Sequence, residues 1–163
     1  MIRGSWHDVM QVCINGHKIT EYAESQPESR QSFCADCGEK TIDACPKCGE
    51  SIQGHHHMED VYDFTDDYPV PKHCIHCGAA YPWQVAAIEN LKEIFQESEL
   101  SLQDREELDK ALPDIMRDTP KTESASLKVK RIMAKLRKPL YDVAIKVVTD
   151  VASETTKKTL GLG

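Results

Sequence analysis

The chain has 163 residues, of which 29% are charged and only 6% aromatic, and a formal net charge of −7. That length allows one domain or two small ones, and no stretch approaches the roughly 20 apolar residues a helix needs to cross a bilayer. The charge is uneven: residues 1–116 carry nine Lys/Arg against 22 Asp/Glu, whereas residues 117–163 carry 11 against five. An acidic first half disfavours nucleic acid as a partner, because affinity for phosphate backbones comes from Lys and Arg. The basic second half reads as a solvated helix face, or as a tail that docks on the chain's own acidic half.

Met1-Ile2-Arg3-Gly4-Ser5-Trp6-His7-Asp8 lacks the apolar core of a signal peptide, which predicts a cytoplasmic, reducing setting. There, Cys-x2-Cys pairs read as metal sites rather than disulfides. All seven cysteines fall in one stretch, as Cys13-x3-His17, Cys34-x2-Cys37, Cys45-x2-Cys48 and Cys74-x2-Cys77. Seven thiols cannot all pair as disulfides within one chain, and His17 supplies the eighth ligand. A closed structural zinc takes four ligands from thiolate and imidazole, so eight ligands predict two zinc ions with none left over.

In chain order, Val9, Val12 and Ile14 predict a short strand pair over residues 6–22. Asn15-Gly16, which tolerates positive φ at both positions, turns Cys13 and His17 toward one metal. Residues 21–32 are polar and predict a loop with a turn of helix. Each Cys-x2-Cys pair is followed by a glycine, Gly38, Gly49 or Gly78, where a left-handed backbone lets amides face the sulfurs. Thr41-Ile42 is β-like, and Ser51-Ile52 begins another strand. Residues 54–73 predict a loop, with His55-His56-His57 exposed to solvent.

Tyr81-Pro82-Trp83 opens a helix with Val85, Ile88, Leu91, Ile94 and Phe95 at helical spacing. Tyr81 and Trp83 are expected to pack this helix onto the metal module rather than to stack nucleobases. Ser101-x2-Asp104 caps a second helix that Leu112-Pro113 interrupts near Ala111. A third follows Thr119-Pro120, with Leu127, Ile132, Met133 and Leu136 as its apolar stripe, and Pro139 breaks or kinks it. Leu140, Val143, Ala144, Val147, Val148 and Val151 make the most apolar helix, which fades into Ser153-Glu154-Thr155-Thr156. Its apolar face would dock on the helix at 83–97 or serve self-association.

Two ligand pairings remain open. The sequential one gives Cys13, His17, Cys34 and Cys37 to the first zinc and Cys45, Cys48, Cys74 and Cys77 to the second; the spacing favours it over a cross-brace of alternate pairs. One enzyme-like pattern, His57-Met58-Glu59 before Pro71-x2-Cys74-x2-Cys77, echoes the zinc nucleobase deaminases. It fits poorly: Pro71 is not adjacent to Cys74, and using Cys74 and Cys77 for catalysis would strand Cys45 and Cys48.

The motifs Cys13-Ile-Asn-Gly-His17-Lys-Ile, Phe33-Cys34-Ala-Asp-Cys37-Gly, Cys45-Pro-Lys-Cys48 and Cys74-Ile-His-Cys77-Gly-Ala-Ala-Tyr-Pro-Trp83 resemble a bacterial family of uncharacterised double zinc-ribbon proteins, a domain of unknown function. The likeness covers roughly residues 8–100 and extends more loosely to Asp118-Thr-Pro-Lys-Thr122 and Ala152-Ser-Glu154. It implies two zinc-ribbon or treble-clef sites followed by helices, and brings no established activity. After Ile52-x-Gly54 this chain departs from the family pattern with His55-His56-His57.

The expected fold is α+β: a zinc-ribbon/treble-clef module with two structural zinc sites over residues 1–82, then a helical region over 83–163. The expected role is non-enzymatic, a protein-interaction or scaffold module. A RING/FYVE-like cross-brace adaptor, a nucleic-acid binder and a zinc-dependent deaminase or hydrolase are the alternatives, in that order.

Overall fold

In the computed structural model, which describes residues 4–59 and 67–163, short strands precede helices in a mixed α+β chain. It divides into two units, Met1–Val85 and Ala86–Gly163. The first holds β1 (Ser5–Val9), β2 (Gln11–Cys13), β3 (Lys18–Thr20), β4 (Thr41–Ile42) and β5 (Gln53–Met58), and a 3-10 turn at Pro27–Ser29 in the polar loop. These strands form two antiparallel sheets, β1-β5 and β3-β2-β4. Asn15-Gly16 makes the β2–β3 turn: Gly16 has φ 92°, and its amide donates to Cys13 O at 2.8 Å. β4 pairs with β2 through Val12↔Ile42 and Cys13↔Thr41, which sets the first Cys-x2-Cys unit beside Cys13. Met10, Val12 and Ile52, all fully buried, form a small core with Cys45, Cys74, Tyr81 and Trp83.

The histidine run is not a loop. His55, His56 and His57 lie in β5, paired to β1 through Trp6↔His57 and His7↔His56, and His55 is buried. The rings do the packing that β-branched residues usually do: Trp6 stacks on His57 at 4.1 Å between centroids and His7 on His56 at 4.4 Å. Residues 60–66 of the expected loop lie outside the described residues. A register shift between His7 and Val9 marks a bulge, and Gly54 sits at it.

The second unit is helical. α1 (Pro82–Gln96) spans the division, followed by α2 (Leu102–Ile115), α3 (Thr122–Met133), α4 (Lys138–Val151) and α5 (Glu154–Leu160). Ile88, Leu91 and Phe95 of α1 share one core with Leu108, Leu112 and Ile115 of α2, Val129, Ile132 and Met133 of α3, and Ala144, Val148 and Val151 of α4. The apolar face of α4 is thus turned into this unit's own core, while Val143 and Tyr141 remain exposed. Ser101 caps α2 by accepting from the Asp104 amide at 3.1 Å.

Four expectations change here. α2 does not stop near Ala111: Pro113 lies in its last turn, where one missing amide costs less than exposing Leu112 and Ile115, both fully buried. Leu127 and Val85, placed on apolar stripes by spacing, are 54% and 51% exposed. α3 ends at Met133, ahead of Pro139, which sits instead in the first turn of α4. Residues after Ser153 do not fade but form α5, with Ser153 accepting from the Thr156 amide at 3.3 Å. α5 is fastened by a buried hydroxyl chain, Ser126 Oγ donating to Thr156 Oγ1 and Thr156 Oγ1 to Ile115 O, each at 2.9 Å. Basic side chains of 131–137 face acids of the same unit: Arg131–Glu107 at 2.7 Å, Lys135–Asp104 at 2.8 Å and Arg137–Glu99 at 2.7 Å.

The tightest backbone approach is at Gly54. A Cβ there would lie 2.4 Å from Glu21 O and 2.9 Å from Met10 N, both main-chain atoms that cannot swing away. Gly54→Ala is therefore expected to cost at least about 2 kcal/mol by overpacking. Gly4→Ala, whose Cβ would meet only the Glu59 side chain at 3.5 Å, should leave the midpoint unchanged. Thermal unfolding followed through near-ultraviolet dichroism checks both.

Candidate metal centres

One local structure occurs three times. In each Cys-x2-Cys-Gly unit the glycine amide donates to the first cysteine's carbonyl at 2.8 Å: Gly38 to Cys34, Gly49 to Cys45 and Gly78 to Cys74. Each unit is closed by one antiparallel bridge seven residues wide, Phe33↔Lys40, Ala44↔Ser51 and His73↔Ala80. The three glycines have φ of 74°, 79° and 71°, the left-handed region in which a Cβ is strained. The turn they make points both sulfurs of a pair the same way. The fourth unit, Cys13-Ile-Asn-Gly-His17, does the same job with the β2–β3 turn; the His17 amide donates to Cys13 Sγ at 3.3 Å.

The eight side chains gather into two groups of four. Cys13, His17, Cys34 and Cys37 form one, and Cys45, Cys48, Cys74 and Cys77 the other, with the ligand atoms of each group all within 4.8 Å of one another. The grouping joins consecutive units; alternate pairs are not brought together. Neither group includes His57 or Glu59, so the deaminase-like pattern does not assemble around Cys74 and Cys77.

The spacings within the groups are those of ligands around one tetrahedral ion. Bonds of about 2.3 Å to sulfur and 2.05 Å to nitrogen place sulfurs about 3.8 Å apart and sulfur about 3.5 Å from nitrogen. In the second group Cys45 Sγ lies 3.8 Å from Cys77 Sγ, and Cys48 Sγ 3.7 Å from Cys74 Sγ. In the first, Cys13 Sγ is 3.7 Å from Cys37 Sγ, and His17 Nδ1 is 3.4 Å from Cys13 Sγ and 3.5 Å from Cys34 Sγ. Disulfides would need about 2.05 Å, and all seven cysteines are free. His17 thus faces the group through Nδ1. The donor set and spacing fit a metal ion at both places.

Electrostatics point the same way. The Glu39 amide holds the Cys37 thiol down to about 6, and the amides of Cys77 and His76 hold Cys74 down to about 6. Cys48 is driven the other way: the Glu50 amide favours its thiolate, yet burial and the sulfurs of Cys74, Cys77 and Cys45 push it up to about 12. Four thiols within 4.8 Å cannot all ionise alone. A dication removes that repulsion and lets every sulfur bind as thiolate.

Tyr81 and Trp83 pack against the second group and the Asn15-Gly16 turn. Their rings stack at 4.7 Å, the Trp83 indole N–H donates to Pro71 O at 2.9 Å, and a Cβ on Gly16 would lie 3.0 Å from Trp83 Cβ. Tyr81 is buried, and burial together with the Cys74, Cys45 and Cys48 sulfurs raises its hydroxyl pKa. These two aromatics pack the start of α1 against the Asn15-Gly16 turn and the Cys74 unit.

Sequence reasoning missed one polar cluster. Asp8, Glu21 and His55 are buried, and they meet Tyr22, His57 and Tyr68 at the β1–β5 ribbon. Three identical residues show no alternation in polarity, so the run carried no strand period to read.

No curated protein and no solved structure matches this chain. One family model does, over residues 6–160, nearly the whole length and both four-residue groups. By that match the chain belongs to the family described as "Uncharacterized protein conserved in bacteria (DUF2321)".

Proposed function

We propose that this is a cytoplasmic zinc protein in which Cys13, His17, Cys34 and Cys37 hold one structural zinc and Cys45, Cys48, Cys74 and Cys77 a second. The observation that carries this reading is the spacing of the ligand atoms, four donors to a site with no position kept open for substrate. Thiolate-rich tetrahedral donor sets select zinc over the hard cations. The role we assign is binding, not catalysis: residues 1–82 form a rigid, metal-held platform for a protein partner, with 83–163 as a helical companion. Exposed apolar side chains flank the metal units, Phe33 beside Cys34 and Ile75 between Cys74 and Cys77, 65% and 67% exposed. Such side chains on a stiff turn suit a protein partner better than a phosphate backbone.

Zinc is central to folding in this reading. The first unit has a core of few apolar side chains, whereas structural zinc supplies apparent binding energy on the order of 10 kcal/mol, more than any one core residue. The second unit has its own larger apolar core. A strong chelator is expected to abolish the near-ultraviolet dichroism of Tyr81 and Trp83 while most far-ultraviolet helical signal survives. Simultaneous loss of both signals would overturn this division of labour.

Elemental analysis should find two zinc ions per chain. His17→Ala should lose or weaken one of them while the all-cysteine site keeps its own, and Glu59→Ala should change neither. A single zinc with His17 dispensable would overturn the assignment.

Acid should weaken metal binding progressively, and most steeply below a pH of about 6. Cys48, pushed up to about 12, must give up a proton to bind at any lower pH, and below about 6 the Cys37 and Cys74 thiols, which the metal-free groups keep ionised above that value, protonate as well. Apparent affinity is expected to fall at least about tenfold per pH unit below 6, since each protonating ligand adds one such factor. A competing chromophoric chelator measured between pH 8 and 5 reads the slope.

A further inference from the structure

Away from the two four-residue groups, β1 and β5 gather a second set of ligating side chains. His57 stacks on Trp6, and the His55 and His57 rings lie 5.0 Å apart between centroids. Each imidazole has an oxygen partner behind it. His57 Nε2 is 3.1 Å from Asp8 Oδ2. Asp8, with no exposed side-chain surface, accepts from the amides of Val9 at 2.7 Å and Glu24 at 2.8 Å and from the Ser25 amide and hydroxyl. Burial alone would disfavour its charge, but these donors and His57 hold its carboxyl below the ordinary range. His55 Nδ1 lies 3.3 Å from Tyr22 Oη and 3.7 Å from Glu21 Oε1. The other Glu21 oxygen accepts from Lys18 Nζ at 2.9 Å and from the Tyr68 amide at 3.1 Å.

The Asp8 carboxylate thus orients the His57 ring, and the Tyr22 hydroxyl the His55 ring. Assigning the N–H to the nitrogen nearest each of these oxygens leaves a lone pair on Nδ1 of His57 and on Nε2 of His55. An imidazole backed by a carboxylate, as His57 is by Asp8, has the tautomer, orientation and basicity of a metal ligand. The separation fits as well. An ion about 2.1 Å from an imidazole nitrogen sits about 3.2 Å from the ring centroid, so two rings on one tetrahedral ion have centroids about 5.2 Å apart.

We propose that His55 and His57 hold a third divalent transition-metal ion, of the imidazole-preferring class of Zn2+, Co2+, Ni2+ and Cu2+, with its remaining positions open to water or an incoming ligand. Two protein ligands make this site weaker and more exchangeable than the thiolate groups. Its donors differ from theirs, so it stands or falls separately from the two-zinc reading.

The test is a titration of the zinc-loaded protein with Co2+, which does not displace zinc from thiolate because zinc binds such ligands more tightly. One further equivalent is expected, giving cobalt d–d absorption without the thiolate-to-cobalt charge-transfer band, and quenching the fluorescence of Trp6. His55→Gln and His57→Gln should each weaken cobalt binding at least tenfold. His56→Gln, whose ring stacks on His7 instead, should leave it unchanged. Trp6→Phe should keep the equivalent and lose most of the quenching, a readout that holds even if a histidine variant fails to fold. No saturable cobalt, cobalt with a charge-transfer band, or quenching that survives in Trp6→Phe would overturn the proposal.

Discussion

Everything in the first unit depends on sulfurs being held at 3.7–3.8 Å. That spacing is too long for a bond between them and too short for several thiolates to coexist without a cation. The backbone is built to tolerate it: glycines in left-handed conformation turn each pair, the amides of Glu39 and Glu50 that follow them favour the thiolates of Cys37 and Cys48, and single antiparallel bridges close each turn. Most of the local hydrogen bonding in these segments serves ligand placement rather than an extended sheet. The apolar core is correspondingly small, and two of its members, Cys45 and Cys74, belong to the second candidate metal group themselves. Packing and coordination are therefore one system here, and a change to one is felt in the other.

The helical unit obeys a different logic. Its helices meet through a continuous set of leucine, isoleucine, valine and methionine side chains, and a buried hydroxyl chain ties the last helix to the end of α2. The surplus of cations toward the C-terminus, which the bare sequence offers as a solvated helix face or a tail for the chain's own acids, has local uses. Arg131, Lys135 and Arg137 lie against Glu107, Asp104 and Glu99. Exposed pairs of this kind contribute little stability. Their importance is that three of the exposed cations a phosphate backbone would use already have neighbours of opposite sign.

Much of this was legible from residue spacing, because metal ligation fixes both residue type and interval. The eight Cys and His side chains of the two groups, the Asn15-Gly16 turn, the glycine after each cysteine pair and the Ser101 cap can all be read from a few positions each, whereas the spacing leaves open which pairs combine. The α+β class follows from them. What could not be read was decided by tertiary context. His55-His56-His57 lacks the alternating polarity of a strand, yet Trp6 and His7 offer rings to stack on and make it one. Pro113 announces a helix end, but burial of Leu112 and Ile115 outweighs one missing hydrogen bond. Leu127 and Val85 fall at helical spacing on faces that stay about half exposed.

The three Cys-x2-Cys units share an asymmetry: the first cysteine of each pair is buried, and the second, Cys37, Cys48 or Cys77, is exposed. An ion held at either place is shielded from inside and reachable from outside. A competing ligand in solution meets the outer sulfurs first and can attach to the ion before the inner ones let go. Exchange by that route is associative, with a rate that scales with the competitor's concentration rather than with spontaneous dissociation. Slow loss into plain buffer and rapid handover to another thiol-bearing molecule are then compatible properties of the same centre.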